Sequence, residues 1–178
     1  MMSDYTIGFL VGLGFVLLIA AIVKSRVRNK PMSVPEKADL LSRRRARMLP
    51  ALAIIFLSQQ VTFFSQLSGG EHVSAERVKI GAWLVLSVLL LFGLATKGFW
   101  LESKEVRDLV DDENTRANRG EAMQWGFLFG MGSAIAVYIL TMFDTVTGRE
   151  AIHIVMSLGI AAALLRWSML ERRALRDA

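Results

Sequence analysis

Five uncharged and mostly apolar runs divide the chain, and the charged residues are concentrated between them. The runs cover residues 5–23, 48–70, 80–96, 122–143 and 151–165. A helix rises ~1.5 Å per residue and the hydrocarbon core of a bilayer is ~30 Å thick, so about 20 residues cross it. Each of the two shorter runs ends in a cation, Lys97 or Arg166, whose long side chain can reach the lipid headgroups. The pattern therefore predicts five transmembrane helices.

The predicted fold is an all-α integral membrane protein. Two in-out-in hairpins form a four-helix bundle, and an N-terminal anchor helix is added to it. Residues 1–24 are expected to hold the anchor helix, 25–49 a basic cytoplasmic connector with an amphipathic helix, and 50–178 the bundle. The spans of the bundle are expected at about 49–67, 80–100, 122–143 and 151–170, with a charged cytoplasmic loop at about 101–121.

Composition and charge agree with this division. Hydrophobic residues make up 53% of the chain, which exceeds what a water-soluble protein of 178 residues buries. Nine lysines and arginines lie in residues 24–47, five in 97–119 and four from 166 onward, whereas the other two loops hold three. Because cation-rich short loops stay in the cytoplasm, we expect the N-terminus outside, the C-terminus inside and a bacterial inner membrane as the location.

The connector before the second span contains a helix-start signal. Ser33 and Glu36 have the spacing of a capping box, so a helix should begin at Val34 and run to the bend expected at Pro50. This helix carries the arginines Arg43, Arg44, Arg45 and Arg47. The arginines are either a binding site for anionic lipid headgroups or a topology signal alone. No base-reading motif accompanies them, so nucleic acid is not an expected partner.

The charged stretch after the third span has helical periodicity. Apolar residues recur at helical spacing from Val106 to Val110, which predicts that the third helix continues into the cytoplasm. Asp111 and Asp112 are suited to the positive N-terminal end of the following helix. A divalent cation held by these two carboxylates and Asp108 is the less favoured interpretation.

Small residues follow each other at steps of four in the fourth span, and a shorter stripe lies in the first. Such stripes let two helix backbones approach closely. They predict packing faces, whether the partner is another span or another chain. The residues are Gly8, Gly12, Ala122, Gly126, Gly130 and Ala134.

Polar residues line the outer half of the second span at steps of three and four. They are expected to point away from lipid, because an unpaired donor or acceptor is costly there. Hydrogen bonds between helices and a pathway for a polar solute are the two interpretations. The predicted cluster comprises Ser58, Gln59, Thr62, Ser65 and Gln66, with Tyr138 and His153 at similar depth.

Two histidines, His72 and His153, are the remaining candidates for chemistry in a chain without cysteine. Together they could bind a metal or the two axial positions of a haem, but a metal site usually needs a third ligand. A hydrogen-bonded histidine at the membrane interface is the favoured interpretation, and no cofactor is expected.

Known catalytic motifs are absent from the sequence, and no acidic or basic residue lies at the centre of a predicted span. The leading hypothesis is a non-catalytic interaction or accessory subunit of a membrane complex, whose partner is another membrane protein or a second copy. A small channel or transporter for a polar solute is the first alternative. A histidine-based metal or haem redox subunit is the second.

Overall fold

The computed structural model describes residues 33–66, 73–96 and 103–177, together with the helical residues Leu10 and Gly14. These ranges contain five α-helices and no strand, which confirms the all-helical expectation for the described part of the chain. The helices are α1 (Val34–Gln66), α2 (Val73–Ala95), α3 (Lys104–Val110), α4 (Glu113–Leu140) and α5 (Gly148–Asp177). Apart from Leu10 and Gly14, the predicted first span lies outside the described residues.

Three of these helices are long and apolar enough to cross a membrane. They are α2 from Val78 to Ala95, α4 and α5. The protein therefore has the helices of a membrane protein. The second predicted span lies in the C-terminal half of α1, where consecutive polar residues, Ser58, Gln59 and Gln60, interrupt the apolar sequence.

Helix α5 is the centre of the described fold, because it packs against α4, α1 and α2. The core between them contains Phe56 of α1, Trp83 and Leu94 of α2, and Ile160 and Leu164 of α5. Each of these side chains is buried. Close packing of this kind supplies the van der Waals contacts that hold helices together when lipid is the solvent.

Helix α4 is covered on one side only. Its buried stripe includes Gly126, Gly130 and Val137, and only 17% of its apolar window is buried, against 44% for α5. The opposite side exposes large apolar residues, among them Phe127 and Ile135 at 65% and 63%. A continuous apolar surface of this size is unfavourable in water and favourable against hydrocarbon chains.

The start of α1 confirms the capping box. The Ser33 amide donates to Glu36 Oε2 at 2.9 Å, and the Glu36 amide donates to Ser33 Oγ at 3.5 Å. The backbone hydrogen bond from Ser33 lowers the pKa of the Glu36 carboxyl, because it stabilises the charged form. From Val34 the helix continues to Gln66 with Pro50 inside it.

The charged stretch differs from the prediction. Helix α2 ends at Ala95 instead of continuing, and α3 is a separate helix that packs Val106 and Val110 against Ala38 and Leu41 of α1. The predicted loop is thus largely helical, because its apolar residues find a partner on α1. Asp112 caps α4, since its Oδ1 accepts the Thr115 amide at 2.7 Å.

Candidate functional site

A network of charged and polar side chains, four of them buried, joins the helices at one end of the bundle. We call it the charge cluster; its members are Arg45, Asp111, Thr115, Arg116, Arg119 and Glu171. Arg45 Nη2 donates to Glu171 Oε2 at 2.6 Å and to Thr115 Oγ1 at 3.0 Å. The indole of Trp167 donates to Glu171 Oε1 at 3.1 Å, and the Arg45 guanidinium lies 5.5 Å from the centre of the Trp167 ring. Both oxygens of the buried carboxylate are therefore hydrogen-bonded.

Asp111 is the second buried carboxylate of the charge cluster and is only 2% exposed. Its Oδ2 accepts from Arg116 Nε at 3.1 Å, and its Oδ1 accepts from Arg119 Nη1 at 3.4 Å. The same Arg119 nitrogen donates to the carbonyl of Thr96, just after α2, at 3.1 Å. Arg45 Nη1 donates to the carbonyl of Val110 at 3.5 Å, which ties α3 to the network.

The charge cluster brings together three segments that the sequence marks as rich in cations. They are the first part of α1, the segment from α3 into α4, and the end of α5. Isolated buried charges are costly, so these ions are stable only while each keeps its partners. The cluster consequently defines the relative positions of the helix ends.

Arg45, one of the four arginines predicted to bind lipid headgroups, lies inside the charge cluster. Its side chain is 7% exposed and paired with Glu171, so its guanidinium is not available to a headgroup. Arg43 and Arg47 are exposed and Arg44 is half-buried. Arg43 forms a surface ion pair with Asp39, one turn earlier in α1. A headgroup role for these three arginines stays a prediction.

The small-residue stripe of α4 lies against α5. A Cβ added at Gly126 would be 2.8 Å from the Ala163 Cβ and 2.9 Å from the Gly159 carbonyl oxygen. A Cβ at Gly130 would have its nearest neighbours at 3.9 Å. Gly126 is therefore the position of closest approach. Ala122 is fully buried. Ala134 is half-buried, and Gly8 and Gly12 lie outside the described residues.

A second group of polar side chains lies between α1, α2 and α5. We call it the polar cluster; its members are Gln60, Trp83, His153 and Ser157, and Ser87 lies one turn after Trp83 on α2. Ser157 Oγ accepts from Trp83 Nε1 at 3.2 Å and from Gln60 Nε2. The His153 ring lies against the Trp83 indole, with 4.0 Å between ring centres. Ser87 is completely buried, and its Oγ has no hydrogen-bond partner among the described residues; the same holds for Gln60 Oε1.

The residues that the sequence predicts to form a polar membrane cluster have different environments in the structure. His153 belongs to it, and Gln59 is half-buried with its Oε1 lacking a described partner. Ser58 is exposed and donates to the Ile55 carbonyl of its own helix at 2.7 Å. Tyr138 is 67% exposed on α4, away from the cluster. The side chains of Thr62, Ser65 and Gln66 lie outside the described residues.

Sequence reasoning missed Ser157, which is the centre of the polar cluster. Its position one turn after His153 was the available signal, because residues four apart share a helix face. Trp83 was also informative, since a buried indole nitrogen needs an acceptor.

The described residues do not provide a third ligand group for the metal site considered at His72 and His153. They contain no group of three or more histidine, cysteine, aspartate or glutamate side chains that could hold a metal ion. His72 lies outside them. A site formed by His72 and His153 therefore stays a prediction.

Comparisons with known proteins do not assign the chain to a family. No family model matches the chain, and neither the curated proteins nor the solved structures include a significant match. The function is accordingly argued from the charge cluster, the polar cluster and the exposed surfaces.

Proposed function

We propose that this protein is a non-catalytic multi-pass membrane protein that acts as an interaction or accessory subunit of a membrane complex. The observation that supports the proposal is the charged segment formed by α3 and the start of α4. This segment is attached to the bundle through buried contacts and exposes one large apolar side chain, Leu109, at 53%. We call Leu109 and the exposed carboxylates of this segment the acidic patch; the carboxylates are Glu105, Asp108, Asp112 and Glu113, and the cations Lys104 and Arg116 are exposed beside them.

The acidic patch is fixed in position by contacts between its segment and α1. Val106 and Val110 anchor α3 on α1, and Arg45 donates to the Val110 carbonyl and to the Thr115 hydroxyl. A surface ordered before binding loses less conformational entropy when a partner arrives. An exposed apolar residue in a segment with four exposed carboxylates and two exposed cations fits a partner segment that presents an apolar residue and net positive charge.

The proposed orientation follows from the cation distribution. The end of the bundle that carries the acidic patch also carries the cation-rich segments, so it lies in the cytoplasm by the positive-inside rule. The proposed location is a bacterial inner membrane, with the N-terminus outside and a cytoplasmic partner or a second copy at the patch.

Purification of the full chain from its native membrane in a mild detergent tests the proposal. A stoichiometric partner, or a defined oligomer, is expected with the unchanged chain. Leu109→Lys should reduce the amount of partner about tenfold, because it places a charge at the centre of the contact. Leu40→Lys is the matched control, since Leu40 of α1 is 39% exposed and lies outside the patch.

Two results contradict the proposal. One is a single chain without a partner or second copy after gentle extraction. The other is a partner that is retained equally by Leu109→Lys and Leu40→Lys while both variants remain folded.

A pathway for a polar solute is the second candidate function. It is favoured by the buried oxygen atoms of Gln60 and Ser87 that lack hydrogen-bond partners among the described residues, since such atoms are stabilised by a polar molecule beside them. The test is flux of a small polar solute into vesicles that contain the purified protein. Flux that is lost in Gln60→Leu, while the assembly of the protein is unchanged, would favour this function over the first.

A further inference from the structure

An apolar groove runs along the outside of the bundle between α2 and α4. Its volume is about 270 Å³, its walls are Leu91 and Leu94 of α2 and Met123 and Phe127 of α4, and its floor is α5 from Val155 to Ala163. Eight residue steps of helix correspond to ~12 Å, close to half of the ~30 Å hydrocarbon core. The groove therefore has the length of one lipid leaflet.

Arg119 lies at one end of this groove. It precedes Met123 by one turn of α4, on the same helix face, and its Nη1 reaches across to the Thr96 carbonyl after α2. Arg119 thus bridges the two walls at the end where the charge cluster lies. Its side chain is 16% exposed, so it is partly accessible from outside the bundle.

Two donor groups of Arg119, Nε and Nη2, have no hydrogen bond to the described residues. Both of its hydrogen bonds within the described residues, to Thr96 and to Asp111, are made by Nη1. The Nε and Nη2 donors form the planar edge with which arginine binds a phosphate through two parallel hydrogen bonds. A guanidinium whose Nε and Nη2 edge has no hydrogen bond to the described residues is complementary to a phosphate group.

The charge around this end of the groove is also favourable to an anion. Among the described ion pairs here, Arg166 pairs with Glu121, and Arg116 and Arg119 share the carboxylate of Asp111. Arg166 follows the groove residue Ala163 by three positions, and its guanidinium lies 5.4 Å from the centre of the Trp125 ring. Tryptophan beside a cation is typical of the headgroup region of a membrane.

We propose that the groove binds one molecule of an anionic phospholipid. One acyl chain lies along α5 between the walls, and the phosphate binds the Nε and Nη2 edge of Arg119. This site is separate from the arginines of α1 and from the acidic patch, so it does not depend on the proposed function.

Native mass spectrometry of the purified full chain with added phosphatidylglycerol or phosphatidylcholine tests the site. We expect one tightly held phosphatidylglycerol per chain and weaker retention of phosphatidylcholine. Arg119→Lys keeps the charge but removes the planar edge, and should weaken the retention of phosphatidylglycerol about tenfold. Leu91→Trp fills the groove and should abolish the retained lipid, while inorganic phosphate should not replace it.

Val88→Trp is the matched control. Val88 is in the same helix as Leu91 and is 60% exposed, but it does not line the groove. This variant should retain lipid as the unchanged chain does. Equal lipid retention by folded Leu91→Trp and Val88→Trp would overturn the proposal.

The chain contains no cysteine, so engineered disulfides can identify a different occupant. Efficient cross-linking of Leu10→Cys to Leu91→Cys within one chain would place the first predicted span in the groove. Cross-linking between Leu91→Cys of two chains would place a second copy there. Either result would overturn lipid binding, and neither is expected.

Discussion

Arg45 and Glu171 are 126 residues apart in the chain and meet as a buried ion pair. Each is the main partner of the other, although Thr115 and Trp167 supply further hydrogen bonds. A buried ion pair adds little net stability over a well-packed apolar pair, but its members depend strongly on each other. At the residue scale, removing one partner is therefore the informative change.

Glu171→Ala should destabilise the folded protein by about 3–5 kcal/mol, because it leaves the Arg45 guanidinium buried without its carboxylate. Thermal unfolding in detergent measures the loss. Combining Glu171→Met with Arg45→Met should recover most of it. Arg43→Met, which breaks the exposed pair with Asp39, should cost at most about 1 kcal/mol. A cost of similar size for Glu171→Ala and Arg43→Met would contradict the interpretation.

The capping box at the start of α1 should respond to acid. The folded state lowers the pKa of Glu36 below its usual value of 4.5, so the cap stabilises the helix above that pH and loses this effect as the pH falls through the lowered pKa. The chemical shift of the Ser33 amide proton, which donates to Glu36, follows the loss. Glu36→Gln should remove this response to pH, and an unchanged response would show that another group causes it.

At the scale of the elements, the contact between α4 and α5 depends on one glycine more than on the rest of the stripe. Gly126→Ala should destabilise the protein by roughly 1–3 kcal/mol, since the new methyl group would overlap the Gly159 carbonyl and Ala163. Gly130→Ala should be tolerated, because its nearest neighbours are 3.9 Å away. Thermal unfolding of the two variants gives the comparison.

Gly132 supplies the matched control on the same helix. A Cβ there meets nothing within 4 Å, so Gly132→Ala should raise stability by up to about 1 kcal/mol through its better helix propensity. If Gly126→Ala were as stable as Gly132→Ala, α4 and α5 would not be packed as closely as the structure has them.

At the scale of the whole molecule, the two ends of the bundle should lie on opposite sides of the membrane. Ser103, just before α3, and Thr147, just before α5, are both exposed, and the chain contains no native cysteine that would also be labelled. In intact cells, an impermeant thiol reagent should label Thr147→Cys and leave Ser103→Cys unlabelled. The reverse pattern would invert the proposed orientation and place the acidic patch outside.

Local signals in the sequence predicted a large part of the helical organisation. The capping box at Ser33 and the cap at Asp112 depend on residues three positions apart, so they are visible without the fold. The apolar runs of α2, α4 and α5 likewise need only length and composition to indicate a membrane helix. The separation of α3 from α2 was not predicted, because it depends on packing of Val106 and Val110 against the distant α1.

Local sequence patterns predicted most of the helices, the membrane character of three of them and the polar and small residues within them, since these properties repeat within a few turns. The contacts between residues far apart in the chain required the folded structure. The pairing of Arg45 with Glu171, the convergence of Gln60 and Trp83 on Ser157, and the hydrogen bond from Arg119 to the Thr96 carbonyl each join different parts of the chain. Such contacts depend on how helices rotate and slide against one another, and the balance of close packing and ion desolvation sets that arrangement.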